Sequence, residues 1–520
     1  MTKYLSSIHL LLLLSTAFLS SVTLNDNFLV PKWMGLYSLT LCTLFSFLFS
    51  SLKFPRFDRF SGSLLILLTT LSLIHFFNQK QPFYLPAFLD IITFVVLFLF
   101  FFNYFLKDPL SSGKWLLHLF VYISFPALVF SLITFIFSSD RFFQRSDYIF
   151  SFFGNANMAA QYFSLVFCCL LLIKPTEKNK LLYRSYFFLV LIYLIMLQCR
   201  SVLLAVILIS FLHFVINSKA SRNKIFCFLF LVPIPFVMMA YFSYKKFSFK
   251  ENTLLGRIEI WSSTLEMIAD KVFLGWGASS FEFSFMSYNR NSFDHEIFNT
   301  PHNEFLRIAV EYGLPFCLFL LFFIGSVLKK FFTSKIVTKN EKKFIVYFIV
   351  LFSIESFFQF PLMLSYSFLS ITAVLAYVVC RSFTSVPLNK KILLGPLVAL
   401  IFFFSSGIFL KIYSGYYQTH AQSYLESKNA CEYYPLNWKA CIQKGRIEMR
   451  QHEFKKAEET YHKLLQISPS HFPTLTALGE LYYSTQNQDK LCSTLSKYKT
   501  QLKNGKSPII QYYENACLKK

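Results

Sequence analysis

Residues 84–106 read YLPAFLDIITFVVLFLFFFNYFL, a run with one charged side chain, Asp90. A stretch of about twenty predominantly apolar residues is long enough to cross the hydrocarbon core of a bilayer as an α-helix. Runs of the same kind recur from Tyr4 to Leu410. The stretch therefore predicts a membrane helix, and its recurrence predicts a chain built largely of such helices.

The recurring runs predict an all-α, polytopic membrane protein with about 12–13 transmembrane helices. Of the 520 residues, 55% are hydrophobic and 15% are charged, which excludes a disordered protein and an ordinary soluble domain. A break near Arg200 is expected, because a continuous helix over 181–217 is too long for one crossing. The predicted helices are 4–24, 33–52, 60–78, 84–106, 115–138, 157–173, 181–198, 201–217, 225–243, 304–328, 344–362, 365–380 and 392–412.

Basic residues are distributed unevenly between the two predicted sides of the membrane. The formal net charge is +23. If the N-terminus is cytoplasmic, the inner segments hold 22 Lys and Arg and the short outer segments hold 5. The positive-inside rule then predicts that residues 244–303 and 413–520 lie outside. The charge is thus explained by topology, and nucleic acid is not expected as a partner.

The composition changes abruptly after about residue 412. We predict a transmembrane domain over 1–412, with a large outer loop at 244–303, and a periplasmic helical domain over 413–520. Gly445 and Gly479 are 34 residues apart, a spacing that resembles the tetratricopeptide repeat. Such repeats bind partners or shape a surface, so 413–520 is a candidate binding surface for a protein partner. A generic domain of helical hairpins is the alternative.

Four of the eleven cysteines lie in this helical domain. In the 34-residue frame, Cys431 ends one helix and Cys441 begins the next. The same packing geometry two units later pairs Cys492 with Cys517. We predict these two disulfides in an oxidising compartment, and four buried thiols are the alternative.

The predicted outer loop and its borders carry most of the chemically informative residues. A fixed cation, a titratable imidazole and glycine turns in one segment suit chemistry on an anionic, lipid-linked substrate at the membrane surface. The motifs are Gly256-Arg257, Trp261, Gly275-Trp276-Gly277, Pro301-His302-Asn303 and Glu311-Tyr312-Gly313.

Arg257 and Arg200 are candidate ligands for an anion. Apolar residues follow Arg257 at helical spacing, which predicts a helix on the membrane surface with Trp261 at the headgroups. An arginine in the first turn of a helix can bind a diphosphate bidentately. The alternative for Arg257 is an ion pair with Glu259 or a lipid phosphate. Arg200, at the tip of the 181–217 hairpin, is either a second diphosphate ligand or a side chain extending to the interface.

His302 is the candidate general base, since a neutral imidazole can accept a proton near pH 7. Asn303 is expected to hold the imidazole or contact sugar, and a plain capping pair is the alternative for both residues. Near Gly154, Asn157 is predicted to cap a helix and Asn155 to contact sugar, with capping alone as the alternative. His295 lies in no familiar metal-ligand spacing, so no metal is expected there.

In their order and sidedness, these pieces resemble the O-antigen ligase and polymerase superfamily. The resemblance rests on GNAN before a helix, CRS at a hairpin tip, GRIEIW and GWG in the large loop, and PHNEFL followed by EYG closing it. It covers roughly residues 150–330 by motif and 1–412 by architecture. Two departures are Ala156, where proline is common, and Val202, where a small residue is common.

The resemblance implies a GT-C type glycosyltransferase of the bacterial inner membrane. Such an enzyme takes a glycan from an undecaprenyl-diphosphate carrier on the outer face and passes it to a hydroxyl acceptor, without a nucleotide sugar or a metal. Arg200 and Arg257 would then hold the diphosphate, and His302 would act as base or orienting group.

Three activities within the superfamily fit this chain. They are ligation to lipid A–core, ligation to protein, and polymerisation of repeat units; the C-terminal domain favours ligation. A non-enzymatic lipid-glycan transporter is a lesser alternative. Charged residues are rare in the predicted helices, where Asp90 and Glu355 are candidates, and this favours an enzyme.

Overall fold

The computed structural model describes residues 2–19, 29–78, 84–137, 151–217, 254–288, 298–420, 424–469, 471–501 and 517. These residues are almost entirely helical, which confirms the predicted all-α fold. The helices are α1 (Thr2–Ser15), α2 (Leu29–Phe49), α3 (Arg59–Asn78), α4 (Tyr84–Phe105), α5 (Pro109–Phe137), α6 (Ala156–Leu172), α7 (Lys180–Leu197), α8 (Arg200–Asn217), α9 (Leu254–Asp270), α10 (Phe281–Ser284), α11 (Glu304–Tyr312), α12 (Leu314–Thr333), α13 (Lys339–Phe358), α14 (Ser365–Ser382), α15 (Lys390–His420), α16 (Tyr424–Tyr433), α17 (Trp438–Arg450), α18 (Phe454–Ile467), α19 (Phe472–Ser484) and α20 (Gln488–Gln501).

Within the described ranges, eight helices are long and apolar enough to cross a membrane. Shorter apolar helices occupy the predicted segments 4–24, 60–78 and 157–173. The predicted helix 225–243 lies outside the described residues. The chain is thus a multi-pass membrane protein. The eight spans are Val30–Phe49, Phe88–Phe105, Pro109–Ile133, Glu177–Leu197, Arg200–Asn217, Leu314–Thr333, Ser365–Ser382 and Leu394–Tyr416.

Helix α6 lies at the centre of the bundle. Every residue from Gln161 to Leu170 is buried, as expected for a helix that is covered on all sides. The helix packs against α5, α7, α8 and α13. Tyr366 of α14 donates a hydrogen bond from its hydroxyl to the Met158 carbonyl of α6, at 2.6 Å. The beginning of α6 is therefore fixed against α14.

Two predicted membrane helices have different ends in the structure. The segment 304–328 is not one helix, because Gly313 (φ 89°) separates α11 from α12. The segment 344–362 is also wrong at its end, since α13 stops at Phe358. Pro361 begins a short 3₁₀ turn, and a residue that precedes a proline is disfavoured in helical conformation. Both breaks lie next to the candidate site.

A small antiparallel sheet joins two connections between helices. Strand β1 (Lys53–Arg56) pairs with β2 (Thr384–Pro387), with Phe54 opposite Val386. Next to it, the Leu388 N–H donates to the Leu52 carbonyl at 2.9 Å. The sheet ties the loop after α2 to the loop before α15.

The helices of the C-terminal region repeat at the spacing of the glycines. Helices α17 and α19 begin 34 residues apart, and so do α18 and α20. Gly445 of α17 faces the ring of Tyr461 on α18, and a Cβ at this position would collide with that ring. The glycine therefore allows close packing of the two helices.

Both disulfides derived from the 34-residue frame are present in the structure. Cys431 of α16 is bonded to Cys441 of α17. Cys492 of α20 is bonded to Cys517, which is the last described residue. The first bond fixes α16, the helix that follows α15, to the first helix of the repeat.

The C-terminal helices dock on the short helix α10. The indole N–H of Trp438 donates to Glu282 Oε1 at 3.0 Å, and the Ser468 hydroxyl donates to the Phe283 carbonyl at 2.5 Å. The Phe283 side chain packs with Leu436 in a small buried cluster. Burial raises the pKa of Glu282, and the Trp438 hydrogen bond partly opposes this shift.

Candidate functional site

The tip of the α7–α8 hairpin presents Arg200. Helix α7 ends at Gln198, which has a left-handed backbone (φ 52°), and α8 begins at Arg200. The Arg200 side chain is exposed, whereas Ser201 beside it is buried. Arg200 forms no hydrogen bond or ion pair with the residues that the structure describes. The predicted break is confirmed, and it leaves a cation at the start of a helix.

Arg257 lies in the first turn of α9, as predicted, but its partner is a backbone carbonyl. Its Nη1 atom donates to the Phe358 carbonyl at 3.0 Å. The expected alternative, an ion pair with Glu259, does not occur, and Glu259 is exposed. Arg257 is partly buried and has no carboxylate partner among the described residues. The rest of its donor capacity is therefore available to an anion.

Trp261 of α9 is partly buried and contacts other parts of the protein. Its indole N–H donates to the Pro301 carbonyl at 2.9 Å. The ring contacts Phe357 edge-on, with centroids 5.3 Å apart. A buried indole N–H needs a partner, and here the partner is the residue before His302. Trp261 thus holds the Pro301-His302-Asn303 segment against α9.

In the connecting segment that precedes α12 (residues 254–313), the two glycine motifs are joined by backbone hydrogen bonds. The Trp276 N–H donates to the Val310 carbonyl at 2.8 Å, and the Gly277 N–H donates to the Glu311 carbonyl at 3.0 Å. Gly275 has φ 65°, and a Cβ there would lie 2.5 Å from the Val310 carbonyl oxygen. Gly313 likewise approaches the Phe273 backbone too closely for a side chain. The glycines therefore hold the turn after α9 against the end of α11.

His302 adopts a left-handed backbone conformation (φ 53°). This region is uncommon for residues other than glycine, and such residues cluster at functional sites. The His302 N–H donates to Thr300 Oγ1 at 3.2 Å. Its ring lies 5.4 Å from that of Phe360, and its Nδ1 is buried without a hydrogen-bond partner among the described residues. The imidazole is positioned by its backbone and by one aromatic neighbour.

Two of the three asparagines predicted to bind substrate cap helices in the structure. The Asn303 carboxamide oxygen accepts from the Leu306 N–H at 3.1 Å and caps α11. The Asn155 carboxamide oxygen accepts from the Asn157 N–H at 2.8 Å and caps α6. Asn155, and not Asn157 as predicted, therefore caps α6. Asn155 is exposed, whereas the buried Asn303 orders the chain directly after His302.

A segment that the sequence analysis did not assign to the site connects its parts. Residues 358–360 follow the end of α13. The Phe358 carbonyl accepts from Arg257, and the Phe360 ring contacts His302. The buried Gln359 donates from Nε2 to Ser201 Oγ at 3.3 Å, next to Arg200. The signal in the sequence was Pro361, because a helix usually ends before a proline. The last carbonyls of such a helix have no partner within the helix and can accept from other groups.

Arg257 lies within electrostatic range of both Arg200 and His302. Burial lowers the pKa of the Arg257 guanidinium; Cys199 opposes this shift, and the charge of Arg200 adds to it. Burial, followed by the charge of Arg257, lowers the pKa of His302 to about 4. The imidazole is therefore neutral near pH 7. Two adjacent cations and a neutral imidazole make a site suited to an anion and to proton transfer.

A third arginine in the same segment is neutralised by its own helix. Arg307 of α11 donates from Nε to Glu304 at 2.8 Å and from Nη1 to Glu311 at 2.8 Å. Both carboxylates are buried. Burial raises the pKa of Glu311 to about 7, against the opposing charge of Arg307. Arg307 therefore stabilises α11 and contributes little positive charge to the site.

Comparisons with known proteins agree with this arrangement. Residues 185–323 match a protein-family model described as O-Antigen ligase. This match confirms the predicted family resemblance. It includes Arg200, Arg257, His302 and Asn303, whereas Asn155 and residues 358–360 lie outside it.

One relative is named as an oligosaccharyltransferase. The chain is 24% identical over 242 residues to the ComP-specific O-oligosaccharyltransferase of Acinetobacter baylyi (strain ATCC 33305 / BD413 / ADP1). The match covers 43% of this chain and 43% of that relative. The chain thus matches less than half the length of this relative. Together with the O-antigen ligase match, this supports ligase-like glycan transfer by an enzyme.

Proposed function

We propose that this protein transfers a glycan from an undecaprenyl-diphosphate carrier to a hydroxyl acceptor at the outer face of a bacterial inner membrane. One observation carries the proposal. Arg257 has no carboxylate partner among the described residues, and it lies within electrostatic range of both Arg200 and His302. A diphosphate supplies the negative charge that these two arginines otherwise lack.

The donor diphosphate is held by Arg200 and Arg257 in this proposal. A guanidinium binds phosphate oxygens bidentately. Arg257 is fixed from behind by the Phe358 carbonyl, so it loses little further freedom on binding. As the glycosidic bond to phosphate breaks, negative charge accumulates on the leaving diphosphate. The same arginines stabilise that charge, which lowers the barrier to transfer.

His302 accepts the proton of the acceptor hydroxyl. The acceptor oxygen forms a bond to the anomeric carbon while the bond from that carbon to the phosphate oxygen breaks. Direct displacement inverts the anomeric configuration. A bound diphosphate offsets the charge of Arg257, which in the free protein lowers the pKa of His302. Donor binding therefore makes His302 a stronger base when the base is needed.

The acceptor is a hydroxyl of a protein or of lipid A–core. The name of the Acinetobacter relative, an O-oligosaccharyltransferase, favours a protein acceptor. Residues 413–520 provide a helical surface for a partner, and this surface docks on α10 in the same connecting segment as the site. We place this domain in the periplasm and the N-terminus in the cytoplasm, from the charge distribution.

Polymerisation of lipid-linked repeat units uses the same donor chemistry with a different acceptor. The two activities are separated by inactivating the gene in a bacterium that makes the glycan. Ligase activity predicts full-length polymer left on the carrier lipid, because only the last transfer is lost. Single repeat units on the carrier would instead assign the protein as a polymerase.

A lipid-glycan transporter is the lesser alternative. The two acidic residues noted in the predicted membrane helices have hydroxyl partners. Tyr37 donates to Asp90 at 2.6 Å, and Ser164 donates to Glu355 at 2.8 Å. Purified protein with lipid-linked donor and acceptor in one detergent solution provides the test. Glycosylated acceptor supports an enzyme, and a lack of product with both acceptor classes would contradict it.

A further inference from the structure

A cavity of about 530 Å³ lies at the end of the bundle remote from Arg257. It is formed by α4, α5, the end of α6, the beginning of α13 and the middle of α14. Glu341 lines it, whereas Phe358, near the candidate site, ends the same helix α13. At 1.5 Å per residue these positions are roughly 25 Å apart, close to the thickness of a hydrocarbon core. The cavity and the site therefore belong to opposite leaflets.

The walls of the cavity are apolar and its rim is basic. Leu117, Leu172 and Val374 are among the apolar side chains that line it, and Lys114 and Lys174 line it as well. Both lysines are exposed. Neither has an ion-pair or hydrogen-bond partner among the described residues. The cavity thus combines hydrocarbon-compatible walls with two unneutralised positive charges.

The acidic residue that lines the cavity is neutralised by the protein itself. Glu341 accepts from Arg381 Nε at 2.6 Å and from the Tyr377 hydroxyl at 2.6 Å. It also accepts from the Thr338 N–H at 2.7 Å, as part of the capping box of α13. The carboxylate therefore does not cancel the charge of Lys114 and Lys174. The electrostatic balance at the rim favours an anion.

We propose that this cavity binds one anionic phospholipid, with an acyl chain between the apolar walls and the phosphate between Lys114 and Lys174. A free phosphate would gain nothing from the apolar walls, and a zwitterionic lipid would gain less from the two lysines. This site is separate from the proposed glycan transfer and does not depend on it. In the predicted topology, it opens to the cytoplasmic leaflet, where anionic lipids attract basic residues.

Lipid binding to the full-length protein tests the proposal. The purified protein is mixed with phosphatidylglycerol or phosphatidylcholine of identical acyl chains, and retained lipid is measured by native mass spectrometry. We expect preferential retention of phosphatidylglycerol. A basic residue near an anionic lipid strengthens binding by roughly fivefold, so Lys114→Gln with Lys174→Gln should weaken it roughly 25-fold.

A charge-matched control distinguishes a specific lipid site from general attraction between basic residues and anionic lipid. Lys178→Gln with Arg184→Gln removes the same charge from exposed positions at the same end, outside the cavity lining. We expect this pair to retain phosphatidylglycerol as the unaltered protein does. Equal weakening by both pairs, or equal retention of the two lipids by the unaltered protein, would overturn the proposal.

A cavity-filling variant tests the acyl-chain part of the site. Ala373 lines the cavity, and Ala373→Leu should reduce retention while both lysines remain. Thermal unfolding confirms that the variant folds; if it does not, the lysine pair decides alone. Millimolar inorganic phosphate should leave phosphatidylglycerol bound. Displacement by phosphate would show a site for free anions and contradict a lipid site.

Discussion

Arg257 and Arg307 occupy the fourth position of helices α9 and α11 in one connecting segment, yet their surroundings are opposite. Arg307 lies between two buried carboxylates, Glu304 and Glu311. Arg257 faces a carbonyl and the positive charge of Arg200. The charge of Arg307 is thus balanced within the protein. The surroundings of Arg257 leave positive charge without a counterion among the described residues, as a site that binds an anion requires.

The largest expected effect is a loss of glycan transfer, with stability measured alongside, when His302 near Arg257 is replaced. His302→Ala should reduce glycan transfer by about 10²–10⁴-fold, because one general base is removed. His302→Asn should lose transfer equally and tolerate the positive φ better. Transfer rates with saturating donor, together with thermal unfolding of both variants, provide the measurement. Near-normal transfer by either variant would remove His302 from the mechanism.

Replacing Arg307 should instead reduce the stability of the protein. Arg307→Leu leaves the carboxylates of Glu304 and Glu311 buried without a counterion. Breaking a buried ion pair by removing one partner costs about 3–5 kcal/mol. Arg257→Leu breaks only a hydrogen bond to a carbonyl and should cost less. The free energies of unfolding of the two variants are compared in the same detergent, and a larger loss for Arg257→Leu would reverse the comparison.

The pH dependence of transfer should reveal the coupling between Arg257 and His302. The base acts when deprotonated, so transfer falls as pH drops through the His302 pKa, which lies at about 4 in the free protein. Arg257→Gln removes a charge that lowers this pKa. The acid limb of kcat/KM should then move to higher pH. Titration of the His302 ring by NMR checks the same shift, and an unchanged pKa would show that the charges are not coupled.

A smaller effect is expected where the C-terminal helices dock on α10. Trp438→Phe leaves the half-buried Glu282 without its indole donor, a change that costs about 1–3 kcal/mol. Arg446→Gln removes an exposed pair with Glu480 and should cost less than about 1 kcal/mol. Chemical unfolding of the two variants distinguishes them. Equal losses would mean that the contact with Glu282 adds nothing to docking.

The sequence predicted the membrane helices well because bilayer thickness imposes a length that appears as continuous apolar runs. It predicted both disulfides because the 34-residue spacing places cysteines on facing helices. It failed where a helix ends inside an apolar run. Gly313 and Pro361 are visible in the sequence, but the apolar residues around them obscured both breaks.

The candidate site was predictable residue by residue but not as a set of contacts. The ordered motifs indicated Arg200, Arg257 and His302. The Phe358 carbonyl and the Gln359 side chain join them across long distances in sequence. No local pattern indicates which backbone carbonyl an arginine will use. The choice between Asn155 and Asn157 as the cap of α6 likewise depended on where the helix begins, within one residue.

Donor binding to two matched variants tests the central claim most directly. Arg257→Lys and Arg307→Lys make the same change at the same helical position, and both keep the charge. Hydrogen bonds to charged groups contribute about 1.5–3 kcal/mol, so Arg257→Lys should weaken the binding of undecaprenyl-diphosphate-linked glycan by roughly 10–100-fold. Arg307→Lys should leave the Kd within about threefold, because Glu304 and Glu311 still neutralise the side chain. Unchanged affinity for Arg257→Lys, or an equal loss for Arg307→Lys, would contradict the assignment of Arg257 to the donor diphosphate.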